Sequence, residues 1–276
     1  MLDASSASGP AEKRRSYIRD LWERREFAWF LAVGNLRARN ASTALGLLWW
    51  VIDPILLGMV YYLVFGVILK TSRGDSTFIA YLLSGMFPFY YTRASLQGGA
   101  NSITQNARML VNLRFPRLIL PLAALIEGLV GFLSSVVIFI VIVGPIAGVY
   151  PGKGMLVFLP ALVIHTLFNL GLGAFFARVA VPFRDIGNVI PYILRIWLYL
   201  SPIIWTLDFL DRAPEAAQQA LRFNPMYHFL SLYRTALEGS PFDPTSAVIA
   251  TVWAVGAFVI GVGTFVRAER TMVRYL

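Results

Sequence analysis

The chain has 276 residues, 57% of them hydrophobic and only 14% charged, with a mean hydropathy of +0.65 and a formal net charge of +9. A soluble domain draws about a quarter of its residues from Asp, Glu, Lys and Arg to build a polar skin, and this chain has far too few for that. Composition therefore excludes a soluble globular protein and points to an all-α polytopic membrane protein. The absence of Cys removes disulfides, thiolate metal sites and cysteine nucleophiles, and two widely separated histidines, His165 and His228, make a poor metal site.

Residues 1–12 are small and polar and are expected to be a disordered N-terminus with no signal peptide. Residues 13–40 follow as a basic, amphipathic region. In KRRSYIRDLWERREFAWF, the apolar Tyr17, Ile18, Leu21, Trp22, Ala28 and Trp29 recur near helical spacing between charges, as in a helix lying at a membrane surface. Such a helix is either a plain anchor or a gate. Residues 41–276 form the transmembrane domain, with six stretches long enough to cross a hydrocarbon layer at about 45–69, 78–100, 118–149, 155–181, 186–206 and 246–266. Prolines within them predict kinks rather than breaks.

Lys and Arg divide unevenly between the two sides of these spans. Sixteen lie before span one, in the connections 2–3 and 4–5, and in the tail, whereas six (Lys70, Arg73, Lys153, Arg212, Arg222 and Arg234) lie on the opposite side. The positive-inside rule then places both termini in the cytoplasm of a multi-pass plasma-membrane protein. Topology accounts for the +9 charge without a nucleic-acid partner. The outer connection 207–245 is too apolar for a solvated loop; Ala213 to Arg222 and Pro225 to Glu238 read as two helices dipping back into the outer leaflet over 213–239, stopped by Gly239.

Four charges remain inside the spans. Asp53, Arg93, Glu127 and Arg195 fall roughly 10–14 Å from the inner ends of their helices and form a single tier. They are expected to face the bundle or dimer interior, either pairing to hold helices together or facing a substrate. Aromatic residues cluster near span ends, among them Trp49, Tyr61, Tyr90 and Trp197; they suit either interfacial belts or a path for a sliding glycan, since rings offer apolar faces to sugar C–H groups.

Four segments in order carry a resemblance: NLRARNASTALGLLWWVIDPI over 35–55, NLRFPRLILP over 112–121, VPFRDI over 181–186 and NPMYHFLSLYR over 224–234. Together they resemble the transmembrane (permease) subunits of polysaccharide ABC exporters, the ABC-2 type permeases that move O-antigen, teichoic acid or galactan, and the overall character is most similar to galactan exporters. Asn40, where an aromatic is usual, and Asp53, where a neutral residue is commoner, depart from the pattern. The resemblance implies the ABC-2 (type V) exporter fold and a homodimer with the pathway at its interface. It also implies two copies of an ABC ATPase that carry the ATP and Mg, and a polyprenyl-diphosphate-linked polysaccharide as substrate. The chain has no G-x-x-x-x-G-K-[ST] loop of its own, so it is expected to be a transport subunit that binds no cofactor and has no catalytic residue.

On this reading, ATPase coupling falls to Leu110, Leu113, Arg114 and Phe115 in one cytoplasmic element and to Phe183, Arg184 and Asp185 in another. Arg37 and Arg39 stand where an entering diphosphate would pass, although topology alone also places arginines there. Tyr17 and Trp22, with Tyr227 and His228 on the outer side, are candidate gate residues. The rival readings are an ABC-2 lipid or drug efflux permease, a membrane-embedded glycosyl- or prenyltransferase using the Asp208-x-x-Asp211 pair, and a secondary transporter. ATP-dependent transport requiring a co-purifying ATPase separates the ABC readings from the last two.

Overall fold

A computed structural model describes residues 17, 19–40, 49–68, 77–113, 115–205 and 214–272, and among these every regular element is helical. Helical turns at 19–23 lead into α1 (Arg25–Asn40). Then come α2 (Trp49–Tyr61), continued by a π-helical stretch Tyr62–Ile68, α3 (Thr77–Gln105) and the short α4 (Ala107–Asn112). α5 (Ile119–Ile138) runs on through a π-turn at Phe139–Val143 to Ala147, and Gly148 closes it in the left-handed conformation at φ 67°. α6 (Phe158–Ala180) and α7 (Ile186–Leu200) precede the pair α8 (Glu215–Phe223) and α9 (Pro225–Glu238), and α10 (Pro244–Met272) ends the chain's described part.

Side-chain contacts fix how the long helices run. Thr92 meets His165 and Gly99 meets Gly173, so α3 and α6 are parallel. Tyr91 stacks on Phe132 while Gly98 lies against Ala124, so α5 runs antiparallel to α3. Phe89 packs on Trp197 and Asn101 on Gly187, which sets α7 antiparallel to α3 as well. This alternation is what successive crossings of a layer produce.

Three described helices are long and apolar enough to cross a membrane: Ile119–Ala147, Lys153–Ala180 and Pro244–Glu269. α3 is long but carries Ser84, Thr92, Ser95 and Gln97, and most of its surface is covered by α5, α6, α7 and α9. A helix that touches protein on nearly every side does not need a lipid-compatible sequence. The outward faces of α5, α6 and α10 instead present Val137, Val141, Ile146, Leu159, Val163, Val252, Val255 and Val259.

In lipid, tails are as apolar as Leu, so helices adhere through close packing rather than through escape from water. Two crossings rely on this. A Cβ added at Gly99 would stand 2.6 Å from the Gly173 backbone, and one at Gly261 would enter the backbone of Gly171. Only glycine lets α6 lie this close to α3 on one side and α10 on the other. α1 docks on α5 by a similar device, a stripe of Ala28, Ala32 and Leu36 at four-residue spacing, all buried, which leaves Trp29 and Phe30 exposed on the opposite face.

Candidate functional site

At one end of the bundle the turn before α5 gathers with the ends of α3, α6 and α10. Ile103, Leu110, Leu118, Val181, Phe265 and Met272 form its core, and Tyr17, Leu21 and Phe115 pack onto it. Arg108, Arg117, Arg178, Arg184 and Arg267 decorate these same segments, so this is the basic end. Arg117 ties it shut: its backbone N–H donates to Glu269 Oε1 at 2.8 Å, and its guanidinium donates to the Glu269 carbonyl. The Tyr17 hydroxyl is buried beside the same glutamate; burial first, and the carboxylate second, push its pKa well above the usual phenol range. Phe27 of α1 meets Phe115 edge-on at 5.3 Å.

The candidate coupling residues divide here by exposure. Leu113 (53% exposed) and Phe183 (66%) project from the basic end, flanked by exposed Arg184 and Asp185. Leu110 does not project: it is 8% exposed and belongs to the core beneath, because the α4 helix turns that face toward α10 and α3. Arg114 lies outside the described residues. Trp22 is exposed at 69% with the Arg25 guanidinium 5.0 Å over its ring, while Tyr17 is inside, so the two candidate gate residues of this helix face different ways. Arg37 is exposed on α1; the side chain of Arg39 lies outside the described residues.

Higher in the bundle, the three members of the charged tier whose side chains are described take separate partners. Glu127 accepts from Asn35 Nδ2 of α1 at 2.8 Å, which fastens the surface helix to α5. Arg93 and Arg195 are both exposed, their guanidinium groups over the rings of Tyr90 (5.5 Å) and Tyr192 (5.9 Å). Neither arginine meets a carboxylate among the described side chains. The side chains of Asp53 and Tyr61 lie outside the described residues. Of the aromatics proposed for a path, Tyr90 and Trp49 are half-buried, and Trp197 is a packing residue: its ring sits between Phe89 and Phe168, and its Nε1–H donates to Asn224 Oδ1 at 2.8 Å.

The far end is closed by α9. Asn224 caps it and uses its whole amide: Oδ1 accepts from Met226 N and Trp197 Nε1, and Nδ2 donates to the Leu200 carbonyl and Ser201 Oγ. One turn in, His165 of α6 bridges Thr92 Oγ1 (2.7 Å) and the Tyr233 hydroxyl (3.2 Å), joining α3, α6 and α9. His228 is buried, bonded to Ser246 and to the Arg222 carbonyl, and so anchors α9 to α8 and α10; Tyr227 is half-buried beside it. Arg234, counted among the basic residues of the outer side, turns inward from α9. It is 5% exposed, its guanidinium carbon 3.6 Å over the Tyr81 ring, donating to the Pro202 carbonyl and paired at 3.9 Å with Glu238, which in turn accepts from Ser84. A motif read as one line of sequence, NPMYHFLSLYR, conceals which of its polar residues turn inward; the four-residue spacing of Arg234 and Glu238 was the available signal. Asp208 and Asp211 lie outside the described residues.

Residues 27–237 match the ABC-2 type transporter family. The chain is 26% identical over 247 residues to the O-antigen export system permease protein RfbA of Myxococcus xanthus, covering 87% of this chain and 94% of that protein. It is 26% identical over 202 residues to the protein of the same name from Klebsiella pneumoniae, covering 72% and 75%. With the polysialic acid transport protein KpsM of Escherichia coli it shares 23% over 245 residues, covering 88% and 93%. The family match takes in α1, the charged tier, the glycine crossings of α3 with α6 and the Asn224–Arg234 closure, and on that ground the chain belongs to the ABC-2 type transporter membrane family.

Proposed function

We propose that this chain is the permease subunit of an ATP-driven polysaccharide exporter. The observation that carries the reading is similarity running nearly end to end with O-antigen and polysialic acid transport proteins, together with a basic end that exposes Leu113 and Phe183. Six membrane crossings are part of this proposal: α2 with its π extension, α3, α5, α6, α7 and α10, with α8 and α9 re-entering from the far side. With Arg234 buried, the far side keeps five of the six basic residues counted there against sixteen at the basic end, which supports placing the basic end and both termini in the cytoplasm.

Two copies of the chain then form the pathway between them, and two copies of an ABC ATPase engage Leu113, Phe183, Arg184 and Asp185. The clamp from Arg117 to Glu269 makes that surface rigid, so a push on it moves α5 and α10 together. The substrate enters from the inner leaflet past α1 as a polyprenyl diphosphate, with Arg37 on its route, and the glycan follows in ATP-driven steps, with α9 as the outer closure. ATP and Mg bind the partner. A galactan is the glycan to test first. Depleting the chain in its host and measuring lipid-linked glycan on each side of the membrane tests the reading: accumulation inside, reversed by restoring the chain, is expected. Unchanged surface glycan with lost efflux of a lipid or drug would transfer the chain to the rival ABC-2 class.

A further inference from the structure

We infer that Arg234 is a positioning residue: with Tyr81 and Asn224 it holds the broken far end of α7, so that the seat of α9 decides whether that end is closed. The break begins in the sequence. α7 has 15 residues and rises about 22 Å, short of a hydrocarbon layer of about 30 Å. Pro202 stops it, since the residue before a proline is pushed out of the helical region, and Ser201 is extended at φ −97° and ψ 144°. Yet the chain does not leave the protein there. Ser201, Pro202, Ile203 and Ile204 are all buried.

Non-helical backbone inside a membrane protein is tolerated only where protein meets its polar groups, and the last four carbonyls of a helix have no partner within it. In α7 all four find donors. The Trp197 carbonyl accepts from Ser201 Oγ (2.8 Å), Leu198 from Ser201 N (3.2 Å), Tyr199 from Trp205 Nε1 (3.0 Å) and Leu200 from Asn224 Nδ2 (3.1 Å). Beyond the helix, the Pro202 carbonyl accepts from Arg234 and the Trp205 carbonyl from the Tyr81 hydroxyl (2.9 Å). Three of these donors lie outside the segment, Asn224 and Arg234 on α9 and Tyr81 on α3. Gly85 lets α3 come close enough: a Cβ there would stand 3.2 Å from Arg234 Nη2 and 3.5 Å from Ile203 Cα. A guanidinium suits the place because it donates to a carbonyl while its plane rests on the Tyr81 ring and its charge meets Glu238. A carbonyl bonded to another helix keeps its partner only while that helix stays in place. Withdrawing α9 therefore strands the Leu200 and Pro202 carbonyls together.

The inference bears on the exporter reading, in which α9 is the outer closure, but its test follows thiols and not transport, so a failure of glycan export would leave it standing. The chain has no Cys, so Ile204→Cys puts a single thiol inside the break, and Ile103→Cys, buried at the basic end, serves as the reference. Each full-length variant in dodecyl maltoside micelles is treated with N-ethylmaleimide and followed by mass spectrometry; a buried thiol reacts only as its surroundings open. Adding Arg234→Met is expected to speed reaction at position 204 by about tenfold and to leave position 103 unchanged. Tyr81→Phe keeps the ring and removes only the donor to Trp205, and should speed position 204 by about fivefold. Arg234→Met with Glu238→Leu separates positioning from stability. It removes the stranded charge and so recovers Tm, but it restores no donor to Pro202, and position 204 stays fast; Arg234→Lys, which keeps a donor, slows it again. A slow thiol at 204 in the double variant would reduce Arg234 to a charge partner of Glu238 and overturn the inference. Equal acceleration at 204 and 103, or none at 204, in Arg234→Met and Tyr81→Phe would overturn it as well.

Discussion

Arg234 carries its charge into the protein, where Tyr81, Pro202 and Glu238 surround it and Ser84 completes the network. Removing one member of a buried, hydrogen-bonded pair leaves the other uncompensated, typically at about 3–5 kcal/mol. Arg234→Met is therefore expected to lower the apparent Tm of the purified protein in detergent, and Arg234→Met with Glu238→Leu to recover part of the loss; a double variant no better than the single would mean the two residues do not act as a pair. Glycine crossings make a second residue-scale prediction. Gly261→Leu forces α10 away from Gly171 and should cost about 1–3 kcal/mol, whereas Gly263→Ala, with nothing within 4 Å of its Cβ, serves as the neutral control.

At the scale of elements, α10 begins on Asp243, whose carboxylate accepts from the backbone N–H of Thr245 and Ser246 and from the Ser246 hydroxyl at 2.7 Å. The Ser246 hydroxyl bond chiefly, with the backbone bonds helping, holds the Asp243 pKa below its ordinary value. A depressed carboxylate stabilises the fold above its unfolded pKa, and that contribution fades as pH falls through the folded value. Asp243→Ala should cost about 1 kcal/mol at neutral pH and little in strong acid, read as a Tm difference that shrinks on acidification. α1 gives the companion test. Replacing Ala32 with Leu overfills the stripe against α5 and should free α1 to protease cleavage, while Trp29→Leu, on the exposed face, should not.

Across the whole molecule, much was legible from sequence because lipid imposes its own period. The boundaries of α5, α6 and α10 follow apolar runs, and α8 and α9 follow Asn224-Pro225 and Gly239, whose φ of 74° stops α9 as expected. What sequence concealed depends on which way a residue turns. Leu110 and Trp197 are apolar near polar segments and looked available, yet packing claims both; Arg234 counts among the basic residues of the outer side, yet it is buried. Direction around a helix is set by neighbours far away in sequence, such as Tyr81 for Arg234, and a single chain of letters does not name them. That α3 and α7 run antiparallel emerges only from contacts such as Asn101 with Gly187 and Phe89 with Trp197.

The central claim is that this chain conducts a lipid-linked polysaccharide when an ABC ATPase drives it. The direct measurement reconstitutes the chain with its ATPase in proteoliposomes and follows radiolabelled lipid-linked glycan into a compartment protected from added glycosidase. The account predicts protection that requires ATP, both subunits and exposed Leu113 and Phe183 at the basic end. ATP hydrolysis by an assembled complex with no glycan protected would contradict it.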